Sequence, residues 1–185
     1  MTTTTTLSEL TGDYVLDPAH TRIGFVARHA MITKVHGEFE EFKGGGHLDG
    51  DDPSRSTVQV TIEARSIQTR NQLRDDQLRG NDFLDMDNHP TITFTSTTVE
   101  QVDATTFAVT GDLTIRGVTR PVTVEFELTG ATHDPWGNFR VGFEGRTTIN
   151  RKDWGVSWNA ILESGGVLIS DKVTLEFDVA AIRQS

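Results

Sequence analysis

A chain of 185 residues without a compositional break reads as one domain, long enough to bury a sizeable core. Its 27 acidic residues against 17 basic ones give a net charge of -10, which repels phosphate backbones and anionic lipid surfaces and disfavours nucleic-acid binding, and with no segment approaching membrane-spanning length, no stable membrane insertion is expected. The absence of cysteine excludes a disulfide framework, a thiolate nucleophile and a zinc-thiolate site.

Thr2 to Thr6 form a polar tail with neither a charged n-region nor an apolar h-region. Residues 1–12 are therefore expected to be disordered, residues 13–183 to form the domain, and the protein to be cytoplasmic. Tyr14 to His20 is a short lead-in. From Arg22 to Ala30 the residues alternate, which puts Ile23, Phe25, Ala27 and His29 on one face. Lys34 to Phe42 is a second strand, bent or ended by the run Gly44 to Gly46. Thr57 to Arg65 alternates strictly, with Val58, Val60, Ile62 and Ala64 inward.

The stretch from Ser66 to Phe94 turns helical. Thr69 as N-cap, Gln72 completing a capping box and Gly80 at the C-terminus predict a helix over Arg70 to Arg79. Asn81 then offers a cap for a turn carrying Phe83, Leu84 and Met86, and Pro90 forces extended geometry before a strand at Thr91. The apolar residues of this insert need a surface to bury them, and the open end of a barrel is one such surface.

Beyond it, Thr91 to Val99, Phe107 to Ile115, Val122 to Leu128, Phe139 to Ile149 and a last stretch from Val173 to Ala181 are strands, with Gly117 to Pro121 and Asp134 to Asn138 as turns. About eight strands with one apolar and one polar face need a closed barrel or a sandwich. As a barrel, strands of about ten residues would stand on the order of 30 Å tall before tilt, a height suited to an elongated apolar guest. Gly111, Gly142 and Gly145 either leave room inside the barrel or mark bulges. Asn150 to Asp171, with Trp154 and Trp158, is long enough to be a lid, and its tryptophans either line a mouth or plug the barrel end.

YVLDPAH and RIGFVARH (Tyr14 to His29), VHGEFEEF (Val35 to Phe42), the Ser66 to Phe94 insert, VTGDLTIRGVTRPVT (Val109 to Thr123) and INRKDWG (Ile149 to Gly155), in this order and spacing, resemble the YceI-like family. That family consists of lipocalin-like, polyisoprenoid-binding bacterial proteins, and the resemblance covers about residues 13 to 182. It implies an all-β fold, an extended eight-stranded antiparallel barrel with a short helical insert between two strands, whose tunnel takes a long prenyl or acyl chain. It also makes a homodimer a reasonable expectation. Many members resemble secreted periplasmic proteins with leader sequences, from which the start of this chain departs.

Phe25, His29, Phe39, Phe83, Leu84, Phe94, Trp136, Phe143, Trp154 and Trp158 are the candidate ligand-binding residues. Arg70, Arg74 and Arg79 are candidates for an anionic head group such as a pyrophosphate or carboxylate, against the alternative of a solvated face offset by Asp75, Asp76 and Asp82. His29 is expected to be a hydrogen-bonded interior polar group. The six histidines show no metal-ligand spacing, and no nucleophile elbow or phosphate-cradling glycine loop is present, so no catalytic residue, metal or cofactor is expected. The reading is a non-enzymatic carrier or store for a long isoprenoid lipid, such as a polyprenyl phosphate or a quinone tail. The alternatives are an enzyme acting on an isoprenoid or acyl lipid through His29, and an interaction module with a filled barrel.

Overall fold

A computed structural model describes residues 6–162 and 168–184. Its strands are β1 (Gly12–Leu16), β2 (Arg22–His29), β3 (Thr33–Phe39), β4 (Phe42–Leu48), β5 (Thr57–Glu63), β6 (Ile67–Gln68), β7 (Thr91–Gln101), β8 (Thr106–Ile115), β9 (Val118–His133), β10 (Phe139–Asn150) and β11 (Lys172–Arg183). One helix, α1 (Gln72–Arg79), lies between β6 and β7.

Three strand pairs are halves of longer strands. β11 pairs with β1 through Ala181 to Arg183 and with β2 through Thr174 to Asp178, so β1 and β2 run one after the other along the same neighbour. In the same way β3 follows β2 while β4 follows β1, and β5 and β6 follow β4 and β3. The interruptions at 17–21, 40–41 and the 3-10 turn Ala64–Ser66 fall side by side, where Arg65 and Glu41 form an exposed ion pair at 2.8 Å. Counting each pair once gives eight antiparallel strands, closed by β1 against β11. Closure leaves the alternating apolar face nowhere to go but inward.

Several sequence expectations are corrected. The second strand breaks at 40–41 rather than at the glycine run, which lies inside β4 and pairs on both sides. A side chain at Gly44, Gly45 or Gly46 would collide with the carbonyls of Gln59, Tyr14 and Thr57, so these glycines allow close backbone approach. α1 begins at Gln72, and its N-cap is Asn71, whose side chain accepts from the Arg74 amide at 3.0 Å. The Thr69 hydroxyl is occupied elsewhere, donating to the buried Asp75 carboxylate. Gly80 ends the helix with φ -77, outside the left-handed region. The β8–β9 turn is only Arg116 and Gly117, both at positive φ, and Pro121 sits within β9 opposite Asp112. Residues 1–5 of the expected tail lie outside the described residues, but the fold starts before residue 13: Leu7–Leu10 form a 3-10 turn with Leu10 buried. Spaced three apart, Leu7 and Leu10 point the same way on that turn and cover the barrel's lower end.

The core has two poles. At the helical end Ile23, Ile62, Phe83, Ile92, Leu113, Val122, Val124, Trp154 and Val156 pack together, and at the other end Leu10, Tyr14, Phe139, Val141 and Ala181 do so. The Tyr14 hydroxyl donates to the Leu10 carbonyl at 2.8 Å and pins the floor, and burial, against the pull of Arg183, raises its pKa.

Candidate functional site

Between the two poles the barrel encloses a cavity of about 620 Å³ whose walls are almost wholly apolar. Alternation dictates this: Ile23, Phe25 and Ala27 of β2, Val58, Val60 and Ile62 of β5, and Val173, Leu175, Phe177 and Val179 of β11 all face it. The β11 set alone spans roughly 20 Å along its strand.

The rings that line the wall lie over glycines. Gly37, Gly111 and Gly145 sit on the neighbouring strands of Phe25, Phe94 and Phe126, and an added methyl at each would strike the facing ring, at 2.5 Å for Phe94 and 2.6 Å for Phe126. The missing side chains let the phenyl groups lie back against the sheet, so Gly111 and Gly145 do not themselves leave empty space. Gly142, by contrast, marks a β-bulge between β9 and β10. Tilted ring pairs Phe25–Phe39 and Phe126–Phe177, at 5.9 and 5.8 Å between centroids, fix the lumen's mid-section.

Phe25, Phe39, Phe94 and Phe143 line the cavity from the strands, and Phe83, Leu84 and Trp158 line it from the connecting segments. Phe83 and Trp158 face each other at 5.5 Å and close part of the upper end. Trp154 is not on the cavity wall. It is buried beside the lumen and donates its indole N–H to the Leu113 carbonyl at 2.8 Å, so one tryptophan of the long segment lines and the other plugs. Trp136 is 81% exposed in the β9–β10 turn and is no part of the site; parity cannot place a residue that the chain reversal has taken out of the sheet. His29 keeps its inward parity but stands exposed at the rim, because it is the last residue of β2, so it is not an interior group.

The three arginines separate. All three nitrogens of the Arg79 guanidinium are engaged, with the Arg65 and Ile67 carbonyls and Asp76, which makes it a structural clamp under α1. Arg70 is exposed at positive φ, off the cavity wall. Arg74 reaches the cavity, with Nε and Nη2 tied to Thr69. Arg28, Asn71, Leu73 and Gln77 join His29 and Arg74 where the cavity meets solvent. Arg28, Asn71 and Gln77 were missed because their parity and helix positions read as outer surface. The lower lining, including Leu7, Leu10 and Pro53, contains no exposed residue, so the lumen opens at the α1 end and is floored at the other.

The Asn150 to Asp171 segment is held by a buried arginine. Arg151 donates to the carbonyls of Val156, Trp158, Ser170 and Ile169 at 2.7, 3.0, 2.9 and 3.4 Å. Burial lowers its pKa, and the charge of Asp171 works in the opposite direction. Residues 163–167 of this segment lie outside the described residues. Among the described residues no group of three His, Asp or Glu side chains converges on a point that would hold a metal ion.

Three comparisons bear on this architecture. The family model described as the YceI-like domain matches residues 14–181. A UPF0312 protein of Pseudomonas paraeruginosa is 38% identical over 177 residues, covering 95% of this chain and 89% of that protein. Among solved structures, the Campylobacter jejuni YCEI protein superposes with a TM-score of 0.74 at 28% identity, over 100% of both chains. A polyisoprenoid binding domain from Saccharophagus degradans superposes with a TM-score of 0.71 at 16% identity, over 94% of this chain and 99% of that one, a likeness of fold.

Proposed function

The chain belongs to the YceI-like family, and on that premise we propose that it is a non-enzymatic carrier or store for one long-chain isoprenoid lipid, held extended in the lumen with its head group at the mouth. The observation that carries this reading is the shape of the cavity: elongated, almost wholly apolar along its walls, floored at one end, with Arg28, His29, Arg74 and Gln77 gathered where it opens. Removing a chain from water is worth roughly 25 cal/mol per Å² of apolar area before ordering costs, and an elongated apolar lumen collects that gain along its whole length. At the mouth, Arg28, His29, Arg74 and Gln77 supply donors for a phosphate, pyrophosphate or quinone oxygen, and a guanidinium suits the anionic ones. The solved Saccharophagus degradans relative of this fold is named for polyisoprenoid binding, which supports the choice of chain.

The test is mass spectrometry of the purified protein, native and after organic-solvent extraction, beside a variant in which Val60→Phe fills the lumen's mid-section. A stoichiometric prenyl lipid in the wild type, absent from a folded Val60→Phe protein, is expected. A wild-type protein that is empty and refuses added prenyl and acyl chains would sink the reading in favour of a filled-barrel interaction module.

A further inference from the structure

Large apolar side chains left in water are not distributed evenly over this molecule. Of those exposed among the described residues, Met31, Ile32, Leu73, Val118 and Ile161 all lie at the end where the lumen opens; Val102 and Trp136 lie in turns at the floored end and Val15 on β1. Single exposed apolar residues need no explanation, but five gathered at the end with a hydrophobic opening do.

The local geometry keeps them together. The Ala30 amide donates to the Leu168 carbonyl and the Leu168 amide to the Ala160 carbonyl, which sets the β2–β3 turn beside the chain leading to Ile161. Leu73, 84% exposed, projects from the first turn of α1 on the cavity's margin. Ala30 and Met31 both have positive φ, 53° and 61°, in a turn closed by the Ile32 amide donating to the His29 carbonyl at 3.1 Å. Asparagine and glycine are the residues that occupy such a turn without strain. Here a strained turn instead presents Met31 and Ile32, the latter 79% exposed, directly to solvent.

Charge names the surface these residues face. The protein carries -10 overall, yet Arg28, Lys34 and Arg70 stand exposed beside the rim, and among the described residues none is in an ion pair. The neighbouring Asp76 is taken by Arg79 at 3.1 Å, and the exposed Asp82 and Asp153, in no ion pair among the described residues, lie across the mouth beside the β8–β9 turn, as does Asp87 on the same connection as Asp82. An apolar cluster edged on its β2–β3 and α1 side by unpaired cations is complementary to the headgroup layer of an anionic bilayer, where aliphatic side chains enter the acyl boundary and cations stay at the phosphates. We propose that the barrel docks mouth-down on anionic membrane surfaces through Met31, Ile32, Leu73 and Ile161, so that a lipid passes between leaflet and lumen without crossing water. This rests on the carrier reading and adds the place where loading occurs. It is surface docking and not insertion, and among the described residues no helix is long and apolar enough to span a membrane.

Flotation of the full-length protein with phosphatidylcholine vesicles, with and without phosphatidylglycerol, tests it. Binding is expected with the anionic vesicles, weakened by Arg28→Gln with Lys34→Gln. The pair Ile32→Ser and Leu73→Ser, at exposed positions where folding is not at risk, should lower the bound fraction at least about tenfold, as withdrawal of two aliphatic side chains predicts. Ile32→Trp should raise binding, and Trp136→Ser at the floored end should leave it unchanged. Wild-type protein that ignores both vesicle types, rim variants that bind as well as wild type, or loss of binding with Trp136→Ser alone would each overturn the proposal. Solvent extraction separates the two failures: lipid recovered without vesicle binding ends the docking proposal and leaves the carrier reading standing, whereas an empty protein ends the carrier reading itself.

Discussion

A methyl group at Gly111 would sit 2.5 Å from the Phe94 ring and 2.6 Å from the Thr95 carbonyl, so Gly111→Ala must drive the ring into the lumen or push β7 and β8 away from each other. Overpacking of this kind typically costs about 1–3 kcal/mol, and here it also narrows the channel. The variant is expected to show a lower denaturant midpoint and, in extracted protein, a shorter or missing chain. At the floored end a different residue-scale device operates. Arg140 donates to Asp134 at 2.6 Å and to Asp17 at 2.6 Å, and Asp17 also pairs with His20. Burial would raise the Asp134 pKa, but the bonds from Arg140 and from the Asn138 and Trp136 amides outweigh it and hold the carboxyl at about 2. A carboxyl depressed from 3.8 stabilises the fold fully above that value, and the contribution disappears as pH falls toward about 2. Asp134→Asn keeps the oxygen that accepts from the Trp136 and Asn138 amides and loses the charge and the oxygen that accepts from Arg140. Its unfolding temperature should be lower at neutral pH and should fall less steeply than the wild type's across this acid range, as scanning calorimetry would record.

Among the connecting elements, the segment after β10 is organised by one side chain. Arg151 satisfies the carbonyls of Val156, Trp158 and Ser170 and shares that of Ile169 with the Asn159 side chain, and α1 depends in a similar way on Arg79 bridging back to Arg65 and Ile67. Arg151→Met keeps the length and deletes the donors; leaving buried carbonyls unpaired typically costs about 1–3 kcal/mol per group. Accelerated hydrogen exchange in 151–162 and 168–171, with the strands still protected, is the expected signature, and unchanged exchange would mean the segment is held by packing alone. These interactions also mark where sequence reading stopped. Alternation revealed the inner face of nearly every strand, because each has one wet side and one dry side, and Pro90 and the Asp134 to Asn138 turn were legible as local stops. The breaks at 17–21, 40–41 and Ala64–Ser66 were not, since each exists because two neighbouring strands kink at the same height. Thr69 looked like a cap because its partner, the buried Asp75, becomes available only once α1 folds back. The mouth was hidden for the same reason: Arg28 occupies an outward position on β2 and meets the lumen only where that strand ends, and Gln77 meets it only because α1 lies beside the opening.

At the scale of the whole molecule, pairing between the first and last strands closes the barrel around an apolar space of about 620 Å³, so the folded state is the only one that offers a guest a dry channel. A ligand that binds only the folded state stabilises it by RT ln(1 + [L]/Kd), about 2.7 kcal/mol at a hundredfold excess over Kd. For a domain of this size each kcal/mol shifts the unfolding temperature by about 2–4 °C. Stripping the guest with organic solvent and refolding should therefore lower the unfolding temperature by roughly 5–10 °C relative to loaded protein. Titrating a prenyl phosphate back should restore it with a logarithmic dependence on concentration, and Val60→Phe should show neither the drop nor the recovery. The logarithmic form discriminates between mechanisms, because a lipid acting as a detergent on the unfolded chain would lower the transition as its concentration rises, whereas occupation of the lumen can only raise it.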